Sequence, residues 1–117
     1  MTASFETEPF SALLMGDESL TIACGDMLLA GGHRIAAVIT RDDAVRAWAE
    51  GQGLVLCRDA EDLLPMGLAV DWLLSIANLR LIPQTVLALP TRGAVNFHDG
   101  PLPRYAGLNT PAWAIIN

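Results

Sequence analysis

An asparagine and a histidine lie two residues apart, at Asn96 and His98, where a short apolar run ends. If that run is a β-strand, both side chains project to the same side, because residues i and i+2 of a strand share a face. A carboxamide N–H can hold a carbonyl oxygen as negative charge develops on it, and a nearby imidazole can move a proton or stabilise that charge. The pair therefore suits acyl-type transfer, although the same spacing also fits a structural histidine whose hydrogen bonds are satisfied within the fold.

Short apolar runs alternate with helical patterns along the chain. The predicted strands cover 10–16, 34–40, 54–57, 70–77 and 93–97. The predicted helices follow at 17–32, at 42–51, as one turn broken by Pro65, and from Pro83 onward. Alternation of this kind indicates parallel pairing. We therefore predict an α/β fold, a Rossmann-like parallel open sheet with helices on both faces, and expect ligands at the carboxyl ends of its strands.

The ends and the buried face of the helices are also predicted. Asp17 stands where the N-cap of the first helix belongs, and Asp42 or Asp43 caps the second. The apolar residues at helical spacing in the first helix are Leu20, Ala23, Cys24, Met27 and Leu28. We expect this stripe to face the sheet.

The last residues, NTPAWAIIN, open like another helix, with Thr110 as its cap and Pro111 in its first turn. Because the chain stops at Asn117 before two such turns are complete, we expect a domain that is truncated after the fifth strand. The predicted organisation is a polar lead-in at 1–9 and the amino-terminal part of one domain at 10–117.

Composition excludes several functions for this stretch. The net charge is −6, and all seven basic residues are arginines, so we expect no basic face for nucleic acid and no lysine chemistry. No apolar run has the length of a membrane span, and the first residues do not resemble a signal peptide, so a cytoplasmic location is expected. Cys24 and Cys57 are read as small hydrophobic residues, and no metal site is predicted. The first turn, LLMGDESL, lacks the glycine pattern of a dinucleotide site.

The stretch NFHDGPLPRYAG resembles the signature of the folate-dependent formyltransferases, a family that includes the methionyl-tRNA, glycinamide ribonucleotide and nucleotide-sugar formyltransferases. That signature reads Asn-x-His, two residues, Leu-Leu-Pro-Lys/Arg-Tyr/Trp-x-Gly. The residues in register are Asn96, His98, Leu102, Pro103, Arg104, Tyr105 and Gly107. Two features depart from it: Pro101 replaces the first Leu, and Asp99-Gly100 follows the histidine. The similarity extends over residues 10–117.

The resemblance implies transfer of a formyl group from 10-formyltetrahydrofolate to an amine, without a metal. Asn96 would donate to the formyl oxygen, and His98 would stabilise the oxyanion or move the proton. The family's third catalytic residue, an Asp, has no counterpart before Asn117. We therefore expect the 117 residues alone to be inactive.

The resemblance also implies that the folate pocket is lined by the segment after the fourth strand, at Leu79, Arg80, Leu81 and Ile82, together with Asn96. Backbone groups there would bind the pterin edge, and the apolar side chains would flank the ring. Arg80 and Arg104 would be counter-charges for the anionic folate tail. An ordinary strand-to-helix loop is the alternative interpretation of this segment.

The acceptor stays open at this stage: an amino sugar, an aminoacyl group on a carrier, or aminoacyl-tRNA. The segments SIANLRLIP and NFHDGPLPRYAGLN are similar to formyltransferase-like domains that begin peptide or polyketide assembly-line proteins, such as nonribosomal peptide synthetases. Two other functions fit the same sequence. One is a formyltetrahydrofolate hydrolase, in which water replaces the amine, and the other is a folate-binding or docking domain without catalysis.

Overall fold

The computed structural model describes residues 8–78, 80–97 and 113–116. In chain order its elements are β1 (Ser11–Met15), α1 (Ser19–Ala30), β2 (Arg34–Ile39), α2 (Asp43–Gly51), β3 (Leu56–Cys57), a 3₁₀ helix (Ala60–Met66), β4 (Val70–Ile76), α3 (Gln84–Leu87), β5 (Pro90–Phe97) and β6 (Trp113–Ile116). The strands form one sheet in the order β3-β2-β1-β4-β5-β6. The first five run parallel, which confirms the predicted Rossmann-like α/β fold. Over the described ranges, no helix combines the length and the apolar character that crossing a bilayer requires.

Helices cover both faces of the sheet, as predicted. α1 and α2 pack on one face, here called the α1 face, around Leu14, Val45 and Ile76. The 3₁₀ helix and α3 pack on the other, here called the α3 face, around Leu63 and Val86. Because the central strands are covered on both sides, their sequences are nearly continuous apolar runs rather than alternating ones.

The predicted stripe of α1 is confirmed in part: Leu20, Cys24 and Leu28 pack against the core of the α1 face, whereas Ala23 is exposed. The fully buried residues of α1 are Thr21 and Gly25, whereas Met27 is 74% exposed. Gly25 is buried by close packing against α2: a Cβ at this residue would lie 2.1 Å from Cη2 of Trp48. A bulky residue cannot occupy that position, so a glycine lies against Trp48 of α2 there.

The capping residues are partly as predicted. Asp42 caps α2 by accepting a hydrogen bond of 3.0 Å from the backbone N–H of Val45. The prediction that Asp17 caps α1 is wrong, because the residue before that helix is Glu18 and its side chain makes no capping bond. The Asp17 carboxylate is bound elsewhere, as described below. α3 is a single turn, with Pro83 as its N-cap residue.

The helix predicted from Thr110 onward is also wrong over its described part. Residues Trp113–Ile116 form β6, which pairs antiparallel with β5. Tryptophan and isoleucine favour strands, and the outer edge of β5 offers unpaired backbone groups that a further strand can satisfy.

A glycine at the end of β1 allows three elements to meet at the carboxyl edge of the sheet. A Cβ on Gly16 would lie 2.1 Å from Oγ1 of Thr21 and 2.9 Å from the carbonyl oxygen of Ile76. The turn between β1 and α1 therefore approaches the end of β4 more closely than any side chain permits.

Replacement of Gly16 by alanine is expected to destabilise the fold by about 1–3 kcal/mol, the usual cost of overpacking a rigid site. The added methyl group collides with a backbone carbonyl, which cannot rotate away. Gly51→Ala is the matched control, because no atom lies within 4 Å of a Cβ at that position in α2. The measurement is the free energy of unfolding in urea, and equal stability of the two variants would contradict the account.

Candidate functional site

The strand order reverses between β1 and β4, so the carboxyl ends of these strands form the point where ligands usually bind in such sheets. After β1 the chain crosses to the α1 face, and after β4 it crosses to the α3 face. Four charged residues that follow four different strands meet here, at Asp17, Arg41, Asp59 and Arg80. We call these four residues the edge network.

Asp17 connects the turn after β1 to the residues that follow β2. Its Oδ1 accepts hydrogen bonds from the Thr40 hydroxyl at 3.0 Å and from the Arg41 backbone N–H at 2.7 Å. These two bonds, together with the charge of Arg80, explain why Asp17 does not cap α1. A backbone N–H and a buried hydroxyl are thereby satisfied at the edge of the sheet.

Asp59 anchors the residues after β3 to Arg41. Both Nε, at 3.1 Å, and Nη2 of Arg41 donate to Asp59 Oδ1. The hydrogen bonds from Arg41 hold the pKa of Asp59 below its ordinary value, with smaller contributions from the charges of Arg41, Arg58 and Arg80. The same pair raises the pKa of Arg41.

Arg80 is the residue of the edge network that links the two sides of the point where the strand order reverses. Its Nη2 lies 3.4 Å from Oδ2 of Asp17, its Nη1 lies 3.8 Å from Oδ1 of Asp59, and Nη1 also donates to the Arg58 carbonyl oxygen at 3.2 Å. The side chain is only 21% exposed. We expected this guanidinium to face a folate tail, but the structure directs its charge to two carboxylates of the protein.

The segment after β4 has a fixed shape that the sequence did not predict. Ala77 has a φ of 48°, which is uncommon for a residue other than glycine, and its N–H donates to the Phe97 carbonyl oxygen at 2.7 Å. Asn78 then folds back: its Oδ1 accepts from the Arg80 N–H at 3.1 Å, and its Nδ2 donates to the Arg80 carbonyl oxygen at 2.9 Å. Sequence reasoning missed Asn78. The one signal was an asparagine directly after a strand, where its side chain commonly bonds the backbone two residues on.

The residues of the predicted folate segment differ in their environments. Leu79 lies outside the described residues. Leu81 is 97% exposed, the largest exposure among the large hydrophobic residues of the described chain. Ile82 is partly buried and packs against the core of the α3 face. Within the described residues, the backbone groups of Leu81 and Ile82 make no hydrogen bond to the protein.

Asn96 lies in β5 beside the carboxyl end of β4. The register pairs Asn96 with Ser75, and Ser75 with Met15 of β1, so the three residues form a row across the sheet. Ala94, two residues earlier, belongs to the core of the α3 face, so Asn96 lies on that face as well. The Ser75 hydroxyl is buried and has no hydrogen-bond partner in the described part of the chain. His98 and Arg104 lie outside the described residues.

The cysteines have the predicted character. Both are free, Cys57 is buried and Cys24 is half-buried. Burial raises the pKa of each thiol, with a smaller contribution from Asp62 at Cys57. Among the residues described, no three His, Cys, Asp or Glu side chains lie close enough to share a metal ion.

The edge network predicts a dependence of stability on pH. The pKa of Asp59 is lowered in the folded chain, so its contribution is present above the unfolded value of about 3.9 and is lost as the pH falls through the folded value. We expect Asp59→Asn to be less stable than the parent at neutral pH, and this gap to close in acid. The measurement is the free energy of unfolding in urea across the pH range. Glu50→Gln, which replaces an exposed carboxylate of α2, is the control. A gap of constant size at all pH values would contradict the assignment.

Comparison with known proteins shows similarity to methionyl-tRNA formyltransferases. The chain is 26% identical to the methionyl-tRNA formyltransferase of Alkaliphilus oremlandii strain OhILAs, over 90% of this chain and 40% of the relative. It is 30% identical to that of Citrifermentans bemidjiense, over 77% of this chain and 34% of the relative. It is 32% identical to that of Roseobacter denitrificans, over 81% of this chain and 37% of the relative. No protein-family model matches the sequence.

The chain thus spans only 34–40% of the length of these curated relatives. The similarity includes most of the described sheet, whose strand order is that of a Rossmann-like fold. The chain belongs to the formyltransferase family.

Proposed function

We propose that the chain carries the folate-binding part and two catalytic residues of an enzyme that transfers a formyl group from 10-formyltetrahydrofolate to an amine. The observation that supports this most is the position of Leu81. A leucine that is 97% exposed lies in the segment that follows β4, and β4 pairs with the strand that carries Asn96. An apolar side chain in this position suits a flat heterocycle better than it suits water.

The backbone of the same segment fits the edge of a pterin. Leu81 and Ile82 make no backbone hydrogen bonds to other described residues, so their N–H and C=O groups are open to a ligand. A pterin has donors and acceptors along one edge, and adjacent backbone groups can pair with both. The Leu81 side chain would then cover one side of the ring.

The edge network favours the β4–β5 side of the sheet as the ligand site. The ion pair of Arg80 with Asp17 links the two loops where the strand order reverses. A dinucleotide bound at the turn after β1 would meet the Asp17 carboxylate, which repels phosphate. Folate at the ends of β4 and β5 avoids this charge and lies next to Asn96.

The proposed reaction needs no group beyond the substrates and the side chains. The nitrogen of the acceptor amine bonds to the formyl carbon, the bond from that carbon to N10 of the folate breaks, and a proton passes from the amine to N10. Asn96 donates its amide N–H to the formyl oxygen as charge develops there. His98 stabilises that charge or carries the proton.

The acceptor is proposed as a primary amine. The relatives are named for methionyl-tRNA, and this chain, with a net charge of −6 and no lysine, offers few positive charges for the RNA. An aminoacyl group on tRNA, an aminoacyl group on a carrier and an amino sugar are the three acceptors to assay with the complete gene product. Formation of free formate with no acceptor present would instead identify the hydrolase, and folate binding without turnover would identify a binding domain.

Replacement of Leu81 by aspartate is expected to weaken folate binding by about tenfold or more, since it removes an apolar contact and places a charge against the ring. Because Leu81 is 97% exposed, the variant should fold as the parent does. Met27→Asp, at a residue of α1 that is 74% exposed, is the matched control. Binding of 5-formyltetrahydrofolate is measured by calorimetry, and equal affinity of the two variants would remove Leu81 from the site.

Replacement of Asn96 or His98 by alanine in the complete gene product is expected to lower kcat by about 10²–10³, the usual effect of losing one oxyanion donor. The KM for the folate donor should change much less, because both groups act on the reacting atoms. Single-turnover formyl transfer to the acceptor is the measurement, with thermal unfolding to confirm that each variant is folded. Near-parental turnover in a folded variant would refute the role of that residue.

A further inference from the structure

We propose that Asn78 is a positioning residue that presents the backbone of Leu81 and Ile82 to the folate donor. The inference rests on the proposed function and adds a residue that neither the sequence motif nor the proposed reaction assigns. It starts from the two hydrogen bonds that Asn78 makes to a single residue, Arg80.

The carboxamide of Asn78 occupies both backbone groups of Arg80. The Arg80 N–H donates to Oδ1 at 3.1 Å, and the Arg80 carbonyl oxygen accepts from Nδ2 at 2.9 Å. The Arg80 N–H is therefore already paired, and its carbonyl oxygen already accepts one bond. The backbone groups of Leu81 and Ile82 make no hydrogen bond to other described residues.

The backbone conformation of Ala77 and two further contacts hold this part of the chain in place. Ala77, in the left-handed region with a φ of 48°, turns the chain so that the Asn78 side chain points back toward the segment. The Ala77 N–H is bonded to the end of β5 at Phe97, and Nδ2 of Asn78 also lies 3.9 Å from Sδ of Met15. A strained backbone conformation that the surroundings maintain is a feature that clusters at functional sites.

The segment is thus fastened at both ends before any ligand binds. The Arg80 side chain is tied to Asp17 and Asp59, its backbone is tied to Asn78, and Ile82 packs against the core. The Leu81 side chain, by contrast, is 97% exposed. This pre-organisation lowers the entropy that binding would otherwise cost, so loss of Asn78 should weaken donor binding without slowing the chemical step.

The first test is amide hydrogen exchange of Arg80 in the unliganded chain, measured by NMR. Asn78→Ala removes both bonds, so the Arg80 amide should lose protection. Asn78→Asp keeps an oxygen that accepts from this N–H and should retain protection, although it loses the donor to the carbonyl oxygen. Gln84→Ala, an exposed residue at the start of α3, is the control. Unchanged protection of Arg80 in Asn78→Ala would overturn the proposal.

The second test separates binding from chemistry in the complete gene product. Asn78→Ala should raise the dissociation constant for 5-formyltetrahydrofolate and the KM for the donor by about 5- to 30-fold, the effect of having to order one residue on binding, with kcat nearly unchanged. A parental affinity, or a fall in kcat with an unchanged KM, would overturn the positioning role. Absence of folate binding by the parent protein would overturn the proposed function as well, and is thereby distinguished from failure of Asn78 alone.

Discussion

The ion pair between Arg80 and Asp17 determines how the carboxyl edge of this sheet is arranged. It joins the loop after β4 to the turn after β1, at the place where the strand order reverses, and the second contact of Arg80 with Asp59 extends the connection to the residues after β3. Its contribution to stability is modest, because both side chains retain contact with water and such pairs are weak. Its effect is geometrical, since one guanidinium with several fixed donors can hold three loops in a defined relation.

This arrangement divides the edge into two parts. On the β1 side, the positive charge of Arg80 is already paired with Asp17, whose carboxylate also accepts hydrogen bonds from Thr40 and Arg41. An anion bound there would therefore gain little electrostatic stabilisation. On the β4–β5 side, an apolar residue is exposed and two residues keep open backbone groups. The second part has the character of a site for a neutral, flat heterocycle. That character agrees with the proposal of a folate donor for a chain of the formyltransferase family.

Much of the fold could be predicted because the strands of a parallel sheet that is covered on both faces have nearly continuous apolar sequences. Each apolar run, at β1, β2, β4 and β5, predicts a strand from its local sequence alone. The helical patterns between these runs likewise predict helices, and together they give the layers of the fold. The predictions that were wrong concern features that depend on residues far away in the sequence. Asp17 is bound by residues more than 20 positions later, and Gly25 is buried because of Trp48. Residues 113–116 form a strand because they pair with the edge of β5, which no local pattern encodes.

The candidate site was predictable only in part, for the same reason. The position of Asn96 follows from its strand, and the register with Ser75 places it beside β4 as expected. The role of Arg80 was not predictable, because its partners follow β1 and β3. Asn78 carries only the weak signal of an asparagine after a strand, and the backbone turn at Ala77 that directs its side chain is not revealed by sequence patterns.

Hydrogen exchange with and without 5-formyltetrahydrofolate tests the location of the donor most directly. If folate binds between the ends of β4 and β5, the amides of Leu81, Ile82 and Asn96 should gain protection together, and those of α2 should not change. Protection confined to Gly16–Leu20 would place the ligand at the turn after β1, on the other side of the Arg80–Asp17 pair. That result would contradict the central claim.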